Sequence, residues 1–307
     1  MNIAPDERFS VFMDFTYTAA TALNLVTINS SNENSVTVFA NADLFAANEY
    51  IGNSAGGSGA YSQSEFVNSV SGSLNLGNTA GSNGTYGLSG SGSLNVFSNE
   101  YVGYAGTGVF TQSGGTHTVA TSFGALLILG GSGGSSGAYD LSGGSLIVNG
   151  NEHVGGAAPG SFTQSGGSHA ANGYLYVGYG VTGSYDLSGS GNLTAAANEY
   201  IGFGGIGSFT QTGGIHTVGG IETIAGANTG SYIHSSGSHT VGGDLYMGGS
   251  PGVNSPSPPS GSYTLSGTGG LAVTGNEYIG YTGAGTFTQS GGTHTVGDPS
   301  TSNSLLI

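Results

Sequence analysis

The chain has 307 residues, 63 of them glycine and only 6% charged, usage that lies outside the ordinary globular range. Its 36% hydrophobic content, with 17 Tyr and 13 Phe, exceeds what disordered chains carry, so the placement of those residues decides the fold. A single basic residue, Arg8, stands against 16 acidic ones; the formal charge of -15 repels nucleic acid and anionic lipid, and the absence of cysteine excludes disulfides and thiolate metal sites.

Residues 1–47 read as an N-terminal cap or first irregular coil, with apolar runs from Leu23 to Ile28 and from Val36 to Phe39. Met1 to Ser10 carry no basic stretch leading into a long apolar run, so if the protein is exported its signal is expected to have been removed or to lie outside this sequence. No stretch reaches the roughly 18 apolar residues of a membrane span, and no membrane insertion is expected.

Residues 48–298 are repetitive. Asn-Glu-Tyr-Ile-Gly occurs at Asn48, Asn198 and Asn276, Asn-Glu-Tyr-Val-Gly at Asn99 and Asn-Glu-His-Val-Gly at Asn151. Between them lie Leu-Asn-Leu-Gly at Leu74, Leu-Ile-Leu-Gly at Leu127, Leu-Tyr-Val-Gly at Leu175 and Leu-Tyr-Met-Gly at Leu245. The closing glycines, taken as Gly52, Gly77, Gly103, Gly130, Gly155, Gly178, Gly202, Gly226, Gly248 and Gly280, define a unit of about 24 residues. Each unit then carries one aromatic residue, from Tyr61 and Tyr86 to Tyr263 and Phe287, and most continue through a Ser-Gly corner into a third short run such as Thr-His-Thr-Val.

Three short alternating runs separated by Gly/Ser/Asn corners describe one coil of a three-sided ribbon. The expected fold is therefore all-β, a right-handed parallel β-helix (β-solenoid) of about ten three-sided coils, stacked at about 4.8 Å. A β-propeller is the rival for a period near 50, but the half-period similarity and the absence of Trp favour the coil. Residues 249–262, with Pro251, Pro256, Pro258 and Pro259, cannot join a strand ladder and read as an excursion loop.

Strand alternation places particular residues inside. Ile51, Val102, Val154, Ile201 and Ile279 point inward, and so does the residue two before each, a glutamate that gives way to leucine in the intervening coils. The second run repeats this with Gln and Leu, the third with His and Leu. Leucine layers should therefore alternate with polar layers built from Glu100, Gln112, His117, Glu152, Gln164, His169, Glu199, Gln211, His216, Glu222, His234, His239, Glu277, Gln289 and His294.

Such layers could be a ladder of metal or proton sites, or hydrogen-bonded layers that fix register; layers repeated along a stack lack the singular open site of catalysis and favour the second. No cofactor, metal or enzymatic activity is expected. Glu199 and Glu222 fall in adjacent layers, where two carboxylates would repel, so a proton is expected to be shared there or a histidine charged nearby.

Outward in the first run stands a stripe of Tyr50, Tyr101, Tyr176, Tyr200, Tyr246 and Tyr278, suited to sugar rings, to lateral packing or to stiffening the sheet. Residues 299–307 read as the start of an unfinished coil, whose Leu305, Leu306 and Ile307 are the expected assembly end for head-to-tail joining.

Phe-Thr-Gln-Ser-Gly-Gly-Thr-His-Thr-Val at Phe110 and Phe287, and Tyr-Asp-Leu-Ser-Gly-Gly-Ser-Leu at Tyr139, resemble the repeats of bacterial secreted and cell-surface β-solenoid proteins of the autotransporter-passenger and adhesin type. The resemblance implies an extracellular or cell-surface setting and a role in adhesion, surface coats or fibres. Two functions follow as expectations: a structural filament whose partner is the chain itself, and a monomeric adhesin or carbohydrate-binding rod whose partners are glycans or other cell surfaces.

Overall fold

A run of three to five residues with alternating polarity cannot satisfy its own backbone and must take its hydrogen bonds from the coil before and the coil after. The computed structural model shows this throughout: the chain is all-β, a parallel β-solenoid of about 11 turns with about 24 residues per turn. It describes residues 9–13, 23–29, 35–40, 42–119, 124–297 and 305–306. Among these, no helix is long and apolar enough to cross a membrane. Contacts divide the chain into two units, Met1–Gly150 with Ala157–Pro159 and Asn151–Gly156 with Gly160–Ile307.

In the first unit the strands of the first face, Val26–Ile28, Glu49–Ile51, Leu74–Leu76, Glu100–Val102 and Leu126–Leu129, pair in parallel in that order. Register places Glu100 beside Leu74 on one side and Leu127 on the other. In the second unit Asn151–Val154, Leu175–Val177, Glu199–Ile201, Glu222–Ile224, Leu245–Met247, Glu277–Ile279 and Leu305–Leu306 do the same.

The structure refines several expectations. Val26–Ile28, Ser35–Ala40 and Leu44–Ala46 already form a turn in register with the next, so the solenoid includes part of the segment taken as a cap or first irregular coil. In four turns the second and third runs continue as one strand, Thr107–Val119, Ser136–Val148, Gly207–Val218 and Thr229–Val241. The corner is then turned by a local irregularity after Gln112 or Gln211 instead of by separated strand ends. The proline-rich excursion is shorter than expected, because Ser260–Leu265 is already paired with the preceding turn.

The glycine closing the first run is set by crowding as much as by backbone angle. Gly103 has φ +79°, and a Cβ there would lie 2.0 Å from the Ser136 carbonyl oxygen. Among the expected closing glycines, one departs from this. Its turn closes on Ala225, with φ 68°, and not on the expected Gly226. Ala225 N donates to Ile201 O at 2.6 Å, as Gly202 N donates to Val177 O at 2.7 Å.

Candidate functional site

Alternating strands on three faces bring Glu100, Gln112 and His117 into one layer, all fully buried. His117 Nε2 lies 2.8 Å from Glu100 Oε2, and His117 Nδ1 lies 2.9 Å from the hydroxyl of Tyr139, which belongs to the following turn. Tyr139 donates to Gln112 Oε1 at 2.6 Å, and Gln112 Nε2 donates to the carbonyls of Ser145 at 3.0 Å and Gly115 at 3.4 Å. Glu152, His169, Tyr185 and Gln164 repeat the chain at 2.9, 3.0 and 2.6 Å. Glu199, His216, Tyr232 and Gln211 repeat its spacing at 2.8, 2.9 and 2.7 Å, but Glu199 Oε2 and His216 Nε2 are not aligned for a hydrogen bond.

Donor counting fixes where the hydrogens go. The Gln112 amide nitrogen faces two carbonyls, so its oxygen accepts from Tyr139. Having spent its one hydrogen, the Tyr139 oxygen accepts from His117 Nδ1–H. A single proton then remains between His117 Nε2 and Glu100 Oε2, as imidazolium and carboxylate or as imidazole and carboxylic acid. Among the described residues no three His, Asp or Glu side chains form a set that could hold a metal ion. In the Glu100 and Glu152 layers the hydrogen bonds are drawn from all three faces, and the second carboxylate oxygen, Oε1, of each glutamate is buried without a partner.

The same geometry explains a pattern in the aromatic column. The column is an in-register stack, with Tyr86 and Phe110 centroids 4.9 Å apart and Phe110 and Tyr139 4.6 Å apart. Tyrosine occurs where the preceding coil is polar, as at Tyr86, Tyr139, Tyr185, Tyr232 and Tyr263. Phenylalanine occurs where it is a leucine coil, as at Phe110, Phe162, Phe209 and Phe287. A buried hydroxyl is kept where an amide or imidazole awaits it and omitted elsewhere. Tyr61 breaks the rule: it follows an apolar turn, and its buried hydroxyl has no partner. Tyr61→Phe is expected to leave stability unchanged or raise it by about 1 kcal/mol, whereas Tyr139→Phe should lower it by about 1–3 kcal/mol. Parallel urea titrations of the two variants check this contrast.

Where two polar layers are adjacent, Glu199 and Glu222 are register partners, and the rings of His216 and His239 stack at 4.5 Å. His239 Nε2 is 3.2 Å from Glu222 Oε2, and its Nδ1 is 3.1 Å from the Tyr263 hydroxyl. Burial, reinforced by the neighbouring Glu222, holds the Glu199 carboxyl well above the usual range. Burial, followed by repulsion from His239, holds His216 well below its usual value. Both shifts favour the neutral form of the Glu199–His216 pair over the charged one. His234 stands in for glutamine in this second layer. Burial lowers it to about 4, so it is neutral; its Nε2 donates to Gly237 O at 3.1 Å and its Nδ1 meets Tyr263 at 2.9 Å.

The earliest polar layer has asparagine in place of histidine. Asn68 Nδ2 donates to Glu49 Oε2 and contacts the Tyr86 hydroxyl, each at 3.1 Å. Burial raises the Glu49 carboxyl to about 7, against the Asn68 hydrogen bond, which lowers it. An acid whose folded value is raised stabilises the fold fully below its unfolded value of 4.5 and loses that contribution as pH rises through 7. Glu49→Gln should therefore be more stable than the parent above pH 7, by about 3 kcal/mol, with the difference vanishing below pH 4.5. Urea unfolding of both proteins at pH 8 and pH 4 measures it.

Glu277 is buried and lies 2.8 Å from His294 Nε2, but no described strand stacks on the far side of Ala284–Gln289 or Thr293–Val296. Gln289, expected inside, is consequently exposed, and His294 is 14% exposed. The asparagine of Asn-Glu-Tyr, unassigned by the sequence, caps the next coil: Asn99 Oδ1 accepts from Leu126 N at 2.9 Å and Asn198 Oδ1 from Ile221 N at 3.0 Å.

The outward tyrosines differ from an exposed stripe. Tyr50, Tyr101, Tyr176, Tyr200 and Tyr278 are half-buried. Tyr246 is only 5% exposed, because it stacks on Tyr278 at 4.6 Å, meets Tyr281 edge-on and donates to Asp244 Oδ2 at 3.2 Å. The exposed tyrosines among the described residues are instead Tyr104, Tyr174, Tyr179 and Tyr281. Three of these directly follow a closing glycine, in Gly103-Tyr104, Gly178-Tyr179 and Gly280-Tyr281, which is the signal that could have found them. Of the expected assembly end, Leu305–Leu306 pairs with Glu277–Tyr278, while Ile307 lies outside the described residues.

No protein-family description matches the chain, and no curated protein does. Among solved structures, the hyper-glycosylated TibA fragment 55–350, modified by TibC, is similar at 16% identity and a TM-score of 0.39, covering 96% of this chain and 100% of the fragment.

Proposed function

We propose that the chain is a non-catalytic β-solenoid of a bacterial cell surface or extracellular matrix that acts by surface contact, as an adhesin does. The observation that carries this reading is the division of chemistry between inside and outside. Glu100, Glu152, Glu199 and Glu222, with their histidines, are buried, whereas a second set of rings, Tyr104, Tyr174, Tyr179 and Tyr281, faces out. Acid–base groups locked in the interior cannot reach a substrate, while exposed rings suit contact with sugars or another surface. The test is retention of the purified, fluorescently labelled chain on bacterial and host cells and on immobilised glycans. Binding to either supports the reading, and absence of binding to both overturns it.

Self-association is a second reading, favoured by in-register parallel strands that take their hydrogen bonds from a coil on each side, as Ser260–Leu265 does. Electron microscopy of the purified chain distinguishes the two: fibres support assembly, and isolated particles at high concentration remove it.

A further inference from the structure

We infer that the outward aromatic cluster of the second unit is a binding platform for an uncharged polysaccharide, an inference that rests on the surface-contact reading and gives it a site. Two consecutive turns each place two rings at the surface, Tyr176 with Tyr179 and Tyr200 with Phe203. Tyr176 and Tyr200 stack at 5.1 Å, and Tyr179 and Phe203 at 5.8 Å. Within each turn the two rings stand nearly at right angles, 74° and 71°. The result is a two-walled shelf running from turn to turn. His153, one turn earlier, extends it by stacking on Tyr179 at 3.8 Å, and Tyr174 meets Tyr200 edge-on at 6.2 Å.

This concentration of rings does not come from the repeat. The position after the closing residue is asparagine at Asn53 and Asn78 and glycine at Gly131, Gly156, Gly226 and Gly249, and only here do consecutive turns fill it with aromatics. Tyr174 and Tyr179 are 41% and 37% exposed, Tyr176, Tyr200 and Phe203 are half-buried, and His153 is buried beneath Tyr179, so the shelf is held by stacking and pre-formed.

Charge selects the ligand. The ring cluster contains no carboxylate or basic residue, and burial lowers His153 to about 4, which keeps it neutral. A chain of charge -15 repels acidic polymers, and the rings present apolar faces with no carboxylate among them to pair a cation.

Area selects against a protein. Fully exposed aromatic side chains present roughly 150–250 Å² each, so a few rings at this exposure fall well short of the roughly 800 Å² that each partner buries in a stable protein interface. Rings repeating once per turn match a linear polymer laid along the stack, its C–H faces on the rings and its hydroxyls near the tyrosine oxygens.

The experiment is affinity electrophoresis of the full chain through gels containing β-glucan, chitosan-free soluble chitin derivative, mannan or polygalacturonate. Compared are the parent, Tyr179→Ala/Phe203→Ala, the milder Tyr174→Ala, and Tyr281→Ala as an exposed tyrosine outside the shelf; circular dichroism reports folding. Expected are retardation of the parent by at least one neutral polymer and none by polygalacturonate, a ten-fold or greater weakening in the double variant, a smaller loss in Tyr174→Ala, and no change in Tyr281→Ala. If the double variant misfolds, Tyr174→Ala alone decides. Retardation unchanged in the shelf variants would overturn the inference while leaving surface contact standing. So would cell binding without retardation by any neutral polymer, or self-association through the shelf in sedimentation. Absence of both cell and glycan binding would remove the inference and the reading beneath it.

Discussion

Gly103→Ala is expected to be among the most damaging single substitutions in the chain, lowering stability by about 4 kcal/mol or more. Two costs combine. The backbone at φ +79° disfavours any Cβ, and this Cβ would lie 2.0 Å from Ser136 O and 2.5 Å from its carbonyl carbon. Neither atom can retreat, because both belong to the backbone of the next turn, whose strand is hydrogen-bonded along its length. The measurement is the thermal midpoint and soluble yield of the variant. Gly133→Ala serves as the control, since an added Cβ there meets nothing within 4 Å and should change neither quantity.

The second large effect is expected at His117→Ala, which removes the link between Glu100 and Tyr139 and leaves a fully buried carboxyl without its partner. Breaking a buried pair from one side costs about 3–5 kcal/mol. His117→Asn should recover much of that loss, because Asn68 already bridges Glu49 and Tyr86 through one amide nitrogen at 3.1 Å to each. Urea unfolding of the two variants decides the matter, and equal losses would show that the ring's packing on Phe110, at 4.6 Å, outweighs its hydrogen bonds.

Much of the architecture was legible because stacking in register forces like positions into columns. Glutamate and leucine alternate at Glu49, Leu74, Glu100 and Leu127, and only a shared interior face makes sense of leucine there. The periodicity could not show that the first face reaches the third. That Glu100 and His117 meet at 2.8 Å depends on the width of the coil, which no local pattern encodes. Nor could it show that the hydroxyl completing each layer comes from the following turn. The clue was present in the exchange of Phe for Tyr, but it carries meaning only once the direction of stacking is known. The closing position at Ala225 was misplaced by one residue because Gly226 offered a glycine at nearly the right spacing. Alternation points Tyr246 outward, but it gives the direction of a side chain and not what covers it.

The dependence of each aromatic residue on the coil before it bears on how such a protein can change length. Excising a single leucine coil would bring a phenylalanine down onto a glutamine and histidine that require a hydroxyl, whereas excising a leucine coil together with its polar neighbour restores every match. Changes of length in double steps therefore keep every match, and the one place where two polar coils adjoin, at Glu199 and Glu222, keeps its match because Tyr232 and not phenylalanine stands on the first of them.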